Sequence, residues 1–210
     1  MPESVSLDAA TIVLFVLRWF HFIFGITWIG LLYFFNFVNG PFAKTMDANT
    51  KKLVVPQLMP RALWWFRWAA MITFLTGWSY IIGKLQLNGA GLTGPGGLFT
   101  STWGQWITLG ASLGSIMWFN VWFIIWPSQK KLITWTKAGE SPAEMAGLTK
   151  KAFLASRLNT YLSVPMLFCM GAASHLPSFN IIIVLVMALV SVALVWHLVN
   201  KVAPKVGADF

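Results

Sequence analysis

The sequence predicts an all-α, polytopic integral membrane protein with five transmembrane helices. Residues of the AVILMFWYC set make up 57% of the 210 residues, the mean hydropathy is +0.69, and only 10% of the residues are charged. A typical soluble domain has about 25% charged residues. A surface that faces water cannot be built from so few charges, so the composition excludes a soluble enzyme and a cytosolic nucleic-acid-binding protein.

Apolar runs define the predicted helices, because crossing the hydrocarbon layer of a membrane takes about 20 apolar residues. Five runs qualify, at residues 11–38, 62–83, 103–126, 153–175 and 179–199. Leu176-Pro177-Ser178 separates the last two runs, since proline cannot continue a helix. Trp126-Pro127 is expected to end the third helix in the same way. A single membrane domain, residues 1–210, accounts for the whole chain.

Basic residues predict the orientation of these helices. Of the 15 Lys and Arg residues, 13 lie in or beside two loops and the C-terminal tail on one side of the predicted bundle. Only Arg18 and Lys84 lie on the other side. Short loops rich in Lys and Arg stay in the cytoplasm, so we expect the N-terminus outside and the C-terminus in the cytoplasm. The net charge of +9 is therefore an orientation signal, and no nucleic-acid partner is predicted.

Two histidines on polar stripes are candidate ligands of a b-type haem. His21 shares a face of the first helix with Asn36, and His175 ends a stripe on the fourth helix that begins at Arg157. Imidazoles on facing helices can bind haem iron axially. The rise of 1.5 Å per residue places His21 roughly 10–15 Å deeper than His175, so pairing requires the first helix to tilt or to start later. The alternatives are that His21 is hydrogen-bonded in the core while His175 lies at the membrane interface, or that the histidines belong to an ion or proton path.

Arg67, Arg157, Asn36 and Asn120 form a candidate anion-binding site, because they lie at comparable depth on four predicted helices. Guanidinium groups bind planar anions through paired hydrogen bonds. Such a site would suit a haem propionate, a purine-like anion or a lipid phosphate. The alternative is that the arginine side chains extend to the lipid headgroups.

Glycine and cysteine patterns predict one helix contact and argue against two cofactors, NAD and c-type haem. Gly110 and Gly114 form a G-x-x-x-G motif on the third helix, which predicts close packing within the chain or against a partner. The G-x-G-x-x-G match at residues 89–94 follows no strand and precedes Pro95, so no NAD site is predicted. The single cysteine, Cys169, excludes a C-x-x-C-H motif and hence a c-type haem. We predict no metal beyond haem iron.

Three stretches of the sequence, at residues 21–36, 59–68 and 117–127, resemble the membrane domain of the PuuD-type, cytochrome c-linked urate oxidase (urate hydroxylase) family. A related stretch runs from Ser156 to His175. The resemblance implies a bacterial inner-membrane protein that passes electrons from urate toward a respiratory chain. Family members carry a C-terminal cytochrome c domain, whereas this sequence ends at Phe210. We therefore expect electrons to leave through another protein.

These features leave three hypotheses for the function. The first is a small membrane redox protein, a subunit or partner of a larger electron-transfer assembly, with b-type haem near His21. The second is a non-catalytic accessory or scaffolding subunit that packs against other membrane proteins. The third is a membrane-bound urate-oxidising enzyme that binds urate through the arginines and passes electrons to a separate cytochrome c.

Overall fold

A computed structural model describes residues 8–207, which form helices joined by short turns and contain no strand. The prediction of an all-α protein is confirmed. Three segments, labelled π, are π-helical, and each continues the α-helix before it without a break. In chain order, the elements are α1 Ala9–Tyr33, π1 Phe34–Asn39, α2 Gly40–Thr45, α3 Ala48–Leu87, α4 Thr102–Phe119, π2 Asn120–Ile125, α5 Trp126–Ala138, α6 Met145–His175, α7 Ile181–His197 and π3 Leu198–Val202.

A polar side chain sets where α3 begins. Asp47 accepts hydrogen bonds from the backbone N–H groups of Asn49 and Thr50, so α3 begins at Ala48, well before the apolar run that starts at residue 62. Capping of this kind satisfies N–H groups that have no partner within the helix. The hydroxyl of Thr50 donates a further bond, and these bonds hold the pKa of the Asp47 carboxyl below its ordinary value.

The prediction that Trp126-Pro127 ends the third helix is wrong. The chain passes from α4 through π2 into α5, which begins at Trp126 and continues to Ala138. Pro127 lies in the first turn of α5, a position where a helix tolerates proline. A local change of helical register therefore replaces the expected end.

The helices pack as two antiparallel pairs, α1 with α3 and α4 with α6, and α7 packs against α6. One buried cluster includes Leu32, Phe66 and Met117 and joins α1, α3 and α4. A second cluster near the opposite end includes Trp106 and Cys169. The first cluster lies beside the polar residues described below and holds their helices in place.

Three continuous helical segments are long and apolar enough to cross a membrane: residues 9–45, 102–138 and 181–202. Their outward faces carry large apolar side chains, such as Ile26 and Leu189, that are more than two-thirds exposed. Exposed apolar faces of this extent are typical of contact with lipid. The remaining two predicted spans lie on α3 and α6, and the five-span count stays a prediction.

Candidate functional site

The three π-helical segments lie at one end of the bundle, which we call the inner end. They follow α1, α4 and α7, and these three helices run antiparallel to α3 and α6, so their last turns share one end. Each segment contains at least one asparagine: Asn36 and Asn39 in π1, Asn120 in π2 and Asn200 in π3. π-Helical turns are rare and occur frequently at functional sites. Hydrophobic periodicity contains no signal for π-helical turns, so these segments were not predicted from the sequence.

Asn36 joins π1 to α6. Its Nδ2 donates to the backbone oxygen of Leu32 at 3.0 Å and to Oγ of Ser156 at 2.9 Å. Farther from the inner end, the hydroxyls of Tyr33 and Ser163 are 3.0 Å apart. These bonds create a polar seam between the first helix and α6, and Arg157 is the next residue after Ser156.

Asn120 makes a different contact. Its Nδ2 donates to Oδ1 of Asn159 at 2.8 Å, and Nδ2 of Asn159 donates to the backbone oxygen of Met117 at 3.0 Å. Asn159 is fully buried. Asn120 therefore bonds to another asparagine. The two side-chain amides form a buried hydrogen bond between π2 and α6.

Arg67 lies among indole rings. Its Cζ is 3.9 Å from the ring centre of Trp126, 5.1 Å from that of Trp122 and 5.4 Å from that of Trp68. These distances are within the range of cation–π attraction, which favours a cation over an aromatic face. The guanidinium group thereby connects α3 to π2 and α5. Its Nε is buried and has no hydrogen-bond partner.

Arg157 has fewer neighbours that compensate its charge. Its Cζ is 5.0 Å from the ring centre of Phe153, one turn earlier on α6, and its Nη1 is buried without a hydrogen-bond partner. The aromatic contacts of Arg157 and Arg67 share no residue, so the structure gives the two arginines separate surroundings. The described helices contain no Asp or Glu. Neither arginine therefore has a carboxylate partner within them.

The other buried polar atoms without partners are also donors. They are the Nε1 atoms of Trp28, Trp118 and Trp122. Among the described residues, every buried side-chain nitrogen or oxygen that lacks a partner is thus an N–H group. Buried donors normally have acceptors, either in the protein or in ordered water.

His21 is held against α3. Its Nδ1 lies 2.9 Å from the backbone oxygen of Thr73. A carbonyl only accepts hydrogen bonds, so Nδ1 must carry the proton and Nε2 keeps its lone pair in the neutral ring. A Cβ atom on Gly77 would lie 2.9 Å from Cε1 of this ring. Glycine at position 77 therefore makes room for the imidazole.

His175 lies in a different environment. It is exposed at the end of α6, and its Nδ1 bonds to the backbone oxygen of Gly171 in its own helix. The two histidines thus have different hydrogen-bond partners, on α3 for His21 and within α6 for His175. Within residues 8–207 no group of three or more His, Cys, Asp or Glu residues could hold a metal ion.

The G-x-x-x-G motif lies at the contact between α4 and α6. A Cβ atom on Gly110 would be 2.9 Å from Cβ of Cys169 and 3.0 Å from Cε of Met170. At Gly114 the nearest atom, Cγ of Met166, would be 3.9 Å away. Gly110 is therefore the residue that permits the close approach of the two helices within this chain.

A family model described as urate oxidase N-terminal matches residues 97–206, just over half of the chain. The chain belongs to the urate oxidase N-terminal family. The matched range contains π2, α6 and Arg157, whereas His21, Asn36 and Arg67 lie outside it. The resemblance to urate oxidases is confirmed at the level of this family. No curated protein and no solved structure matches the chain.

Proposed function

We propose that this protein is a membrane-embedded component of a urate-oxidising electron-transfer assembly, and that its inner end binds urate. The observation that carries this proposal is the buried Nη1 of Arg157 at the inner end, an N–H donor without an acceptor. Urate is a planar monoanion at neutral pH, and its carbonyl oxygens and its one deprotonated ring nitrogen accept hydrogen bonds. Arginine recognises planar anions of this type well. Membership of the urate oxidase N-terminal family supports the same ligand.

The proposed topology has five membrane spans, with the N-terminus outside and the inner end facing the cytoplasm of a bacterial inner membrane. Helix α3 packs along α1, and α6 along α4, so each lies beside a helix that is apolar enough to cross the membrane. Positively charged loops at the inner end support this orientation. Reporter fusions that place both termini in one compartment would contradict the proposal.

The proposed reaction requires an electron acceptor. Hydroxylation of urate adds the oxygen of one water molecule and releases two electrons and two protons. We propose a separate cytochrome c, or another haem protein of the membrane, as the one-electron acceptor. The protein would then act as a subunit or partner among other membrane proteins.

Urate consumption tests the proposed function. Membranes that contain the protein together with an added cytochrome c are expected to consume urate and reduce the cytochrome. Membranes from the same host without the protein provide the control. Folded protein that supports neither reaction would contradict the proposal and favour a non-catalytic accessory subunit.

A b-type haem at His21 is a second proposal, supported by the bond between Nδ1 and Thr73. Haem-binding and metal-binding histidines commonly donate Nδ1–H to a carbonyl, which orients Nε2 toward the metal. His21 would supply one axial ligand through Nε2. When bound, the haem would supply a one-electron carrier within the membrane. His21 would orient it, and Gly77 would leave space for the imidazole.

An absorption spectrum of the purified protein tests the haem proposal. We expect a Soret band that shifts on reduction with dithionite and is lost in His21→Ala. His197→Ala, at the inner end of α7, is the matched control and should keep the band. A colourless wild-type preparation from cells supplied with haem precursor would exclude haem binding.

A further inference from the structure

The two arginines at the inner end differ in what already surrounds them. Three indoles from α3, π2 and α5 enclose the guanidinium of Arg67 and provide the negative faces that a cation requires. A single phenyl ring from its own helix accompanies Arg157, and Phe153 is itself 49% exposed. Among the described residues, Arg67 thus has three aromatic contacts that favour its charge, and Arg157 has one.

The position of Arg157 on α6 indicates where its side chain lies. Ser156 bonds to π1, and Ala172 belongs to the same buried cluster as Met187 of α7. Each residue turns an α-helix by about 100°. On α6, Arg157 and Tyr161 therefore fall between the face that contacts π1 and the face that packs toward α7. Segments π1 and π3 contact each other at this end, and Arg157 lies on α6 beside the junction of α6 with π1.

This junction carries polar groups besides the guanidinium. Asn36 uses both hydrogens of Nδ2 in bonds to Leu32 and Ser156, which fixes the position of its amide next to Arg157. The phenol of Tyr161 lies one turn along α6 from Arg157. The buried Nη1 of Arg157 is the donor here that lacks an acceptor. Asn36, Ser156, Arg157 and Tyr161 together are called the junction site.

We infer that the junction site binds the planar oxo-purine anion and that Arg67 is a structural cation that fastens α3 to π2 and α5. The inference rests on the proposed function and assigns different roles to the two arginines. The guanidinium of Arg157 donates to the oxygens of the anion, and Asn36 with Ser156 positions α6 against π1 for this contact. The ligand reaches the junction from the inner end of the bundle.

Matched substitutions separate these roles. Urate binding to purified Arg157→Gln and Arg67→Gln is measured by isothermal titration, together with the thermal unfolding of each variant. Arg157→Gln should weaken binding about tenfold or more, because a charge-assisted pair of hydrogen bonds is lost, and should unfold at nearly the wild-type temperature. Arg67→Gln should unfold at a lower temperature while the folded protein keeps wild-type affinity.

The outcomes distinguish failure of the inference from failure of the proposed function. Urate binding that survives in Arg157→Gln and is lost in folded Arg67→Gln would overturn the inference alone. A wild-type protein that does not bind urate would overturn both. If Arg157→Gln does not fold, phenylglyoxal labelling of the wild type decides the matter. Urate should protect Arg157 from modification, as read by peptide mass spectrometry, and protection confined to Arg67 would refute the assignment.

Discussion

Replacement of Gly110 by valine is expected to lower the free energy of unfolding by about 3 kcal/mol, because extra volume at a tight contact forces packed groups apart. Even the first added carbon would lie 2.9 Å from Cβ of Cys169. That atom is attached directly to the backbone of α6, so a change of rotamer cannot relieve the overlap. Helices α4 and α6 would have to separate, and this would disturb the Asn120–Asn159 bond.

Gly114 provides the matched control for this prediction. The new Cβ in Gly114→Ala would be 3.9 Å from Met166, an ordinary van der Waals distance, so we expect a change within about 0.5 kcal/mol. Gly110→Ala should lie between Gly110→Val and the wild type. Unfolding of the purified proteins in detergent measures all three. Equal stability of Gly110→Val and Gly114→Ala would mean that α4 and α6 are farther apart than the structure has them.

Asn159→Leu is expected to lower the free energy of unfolding by about 3 kcal/mol, because buried polar groups that lose their partners cost roughly 1–3 kcal/mol each. The substitution removes the acceptor of Asn120 and the donor to the backbone oxygen of Met117. Both partners lie in the interior of the bundle, where water cannot replace the lost bonds. Chemical unfolding in detergent provides the measurement.

Asn200→Leu is the control for this second prediction. Asn200 is exposed and bonds to the backbone oxygen of Trp196 in its own helix, so the change should be within about 0.5 kcal/mol. The double variant Asn120→Leu/Asn159→Leu should be less destabilised than the sum of the single variants, since it leaves no unpaired amide. Strict additivity would contradict the hydrogen bond between the two asparagines.

The candidate site was only partly predictable. Asn36, Asn120, Arg67 and Arg157 were found because polar residues stand out in apolar helices and align in depth at 1.5 Å per residue. Their partners could not be read in the same way. Depth along a helix does not specify which neighbouring helix a side chain faces. The bond between Asn120 and Asn159 and the separate surroundings of the two arginines therefore could not be predicted.

The hypothesis that His21 and His175 bind one haem has the same limit, because it depends on which helices face each other. Both residues lie on polar stripes, and a haem bound by both histidines would require the two stripes to face each other. In the structure α1 packs chiefly along α3, so His21 bonds to Thr73 while His175 bonds within α6. A stripe predicts that a helix face is buried, and the packing of helices determines what it is buried against.

Composition and apolar run length were sufficient to predict an all-α protein whose helices are long and apolar enough to cross a membrane, because lipid contact demands long stretches of apolar residues whatever their arrangement. Sequence motifs were sufficient to indicate the urate oxidase family. The π-helical segments, the continuation of the third helix past Pro127 and the separation of Arg67 from Arg157 required the tertiary structure. These features depend on contacts between residues far apart in the chain, which local periodicity does not encode.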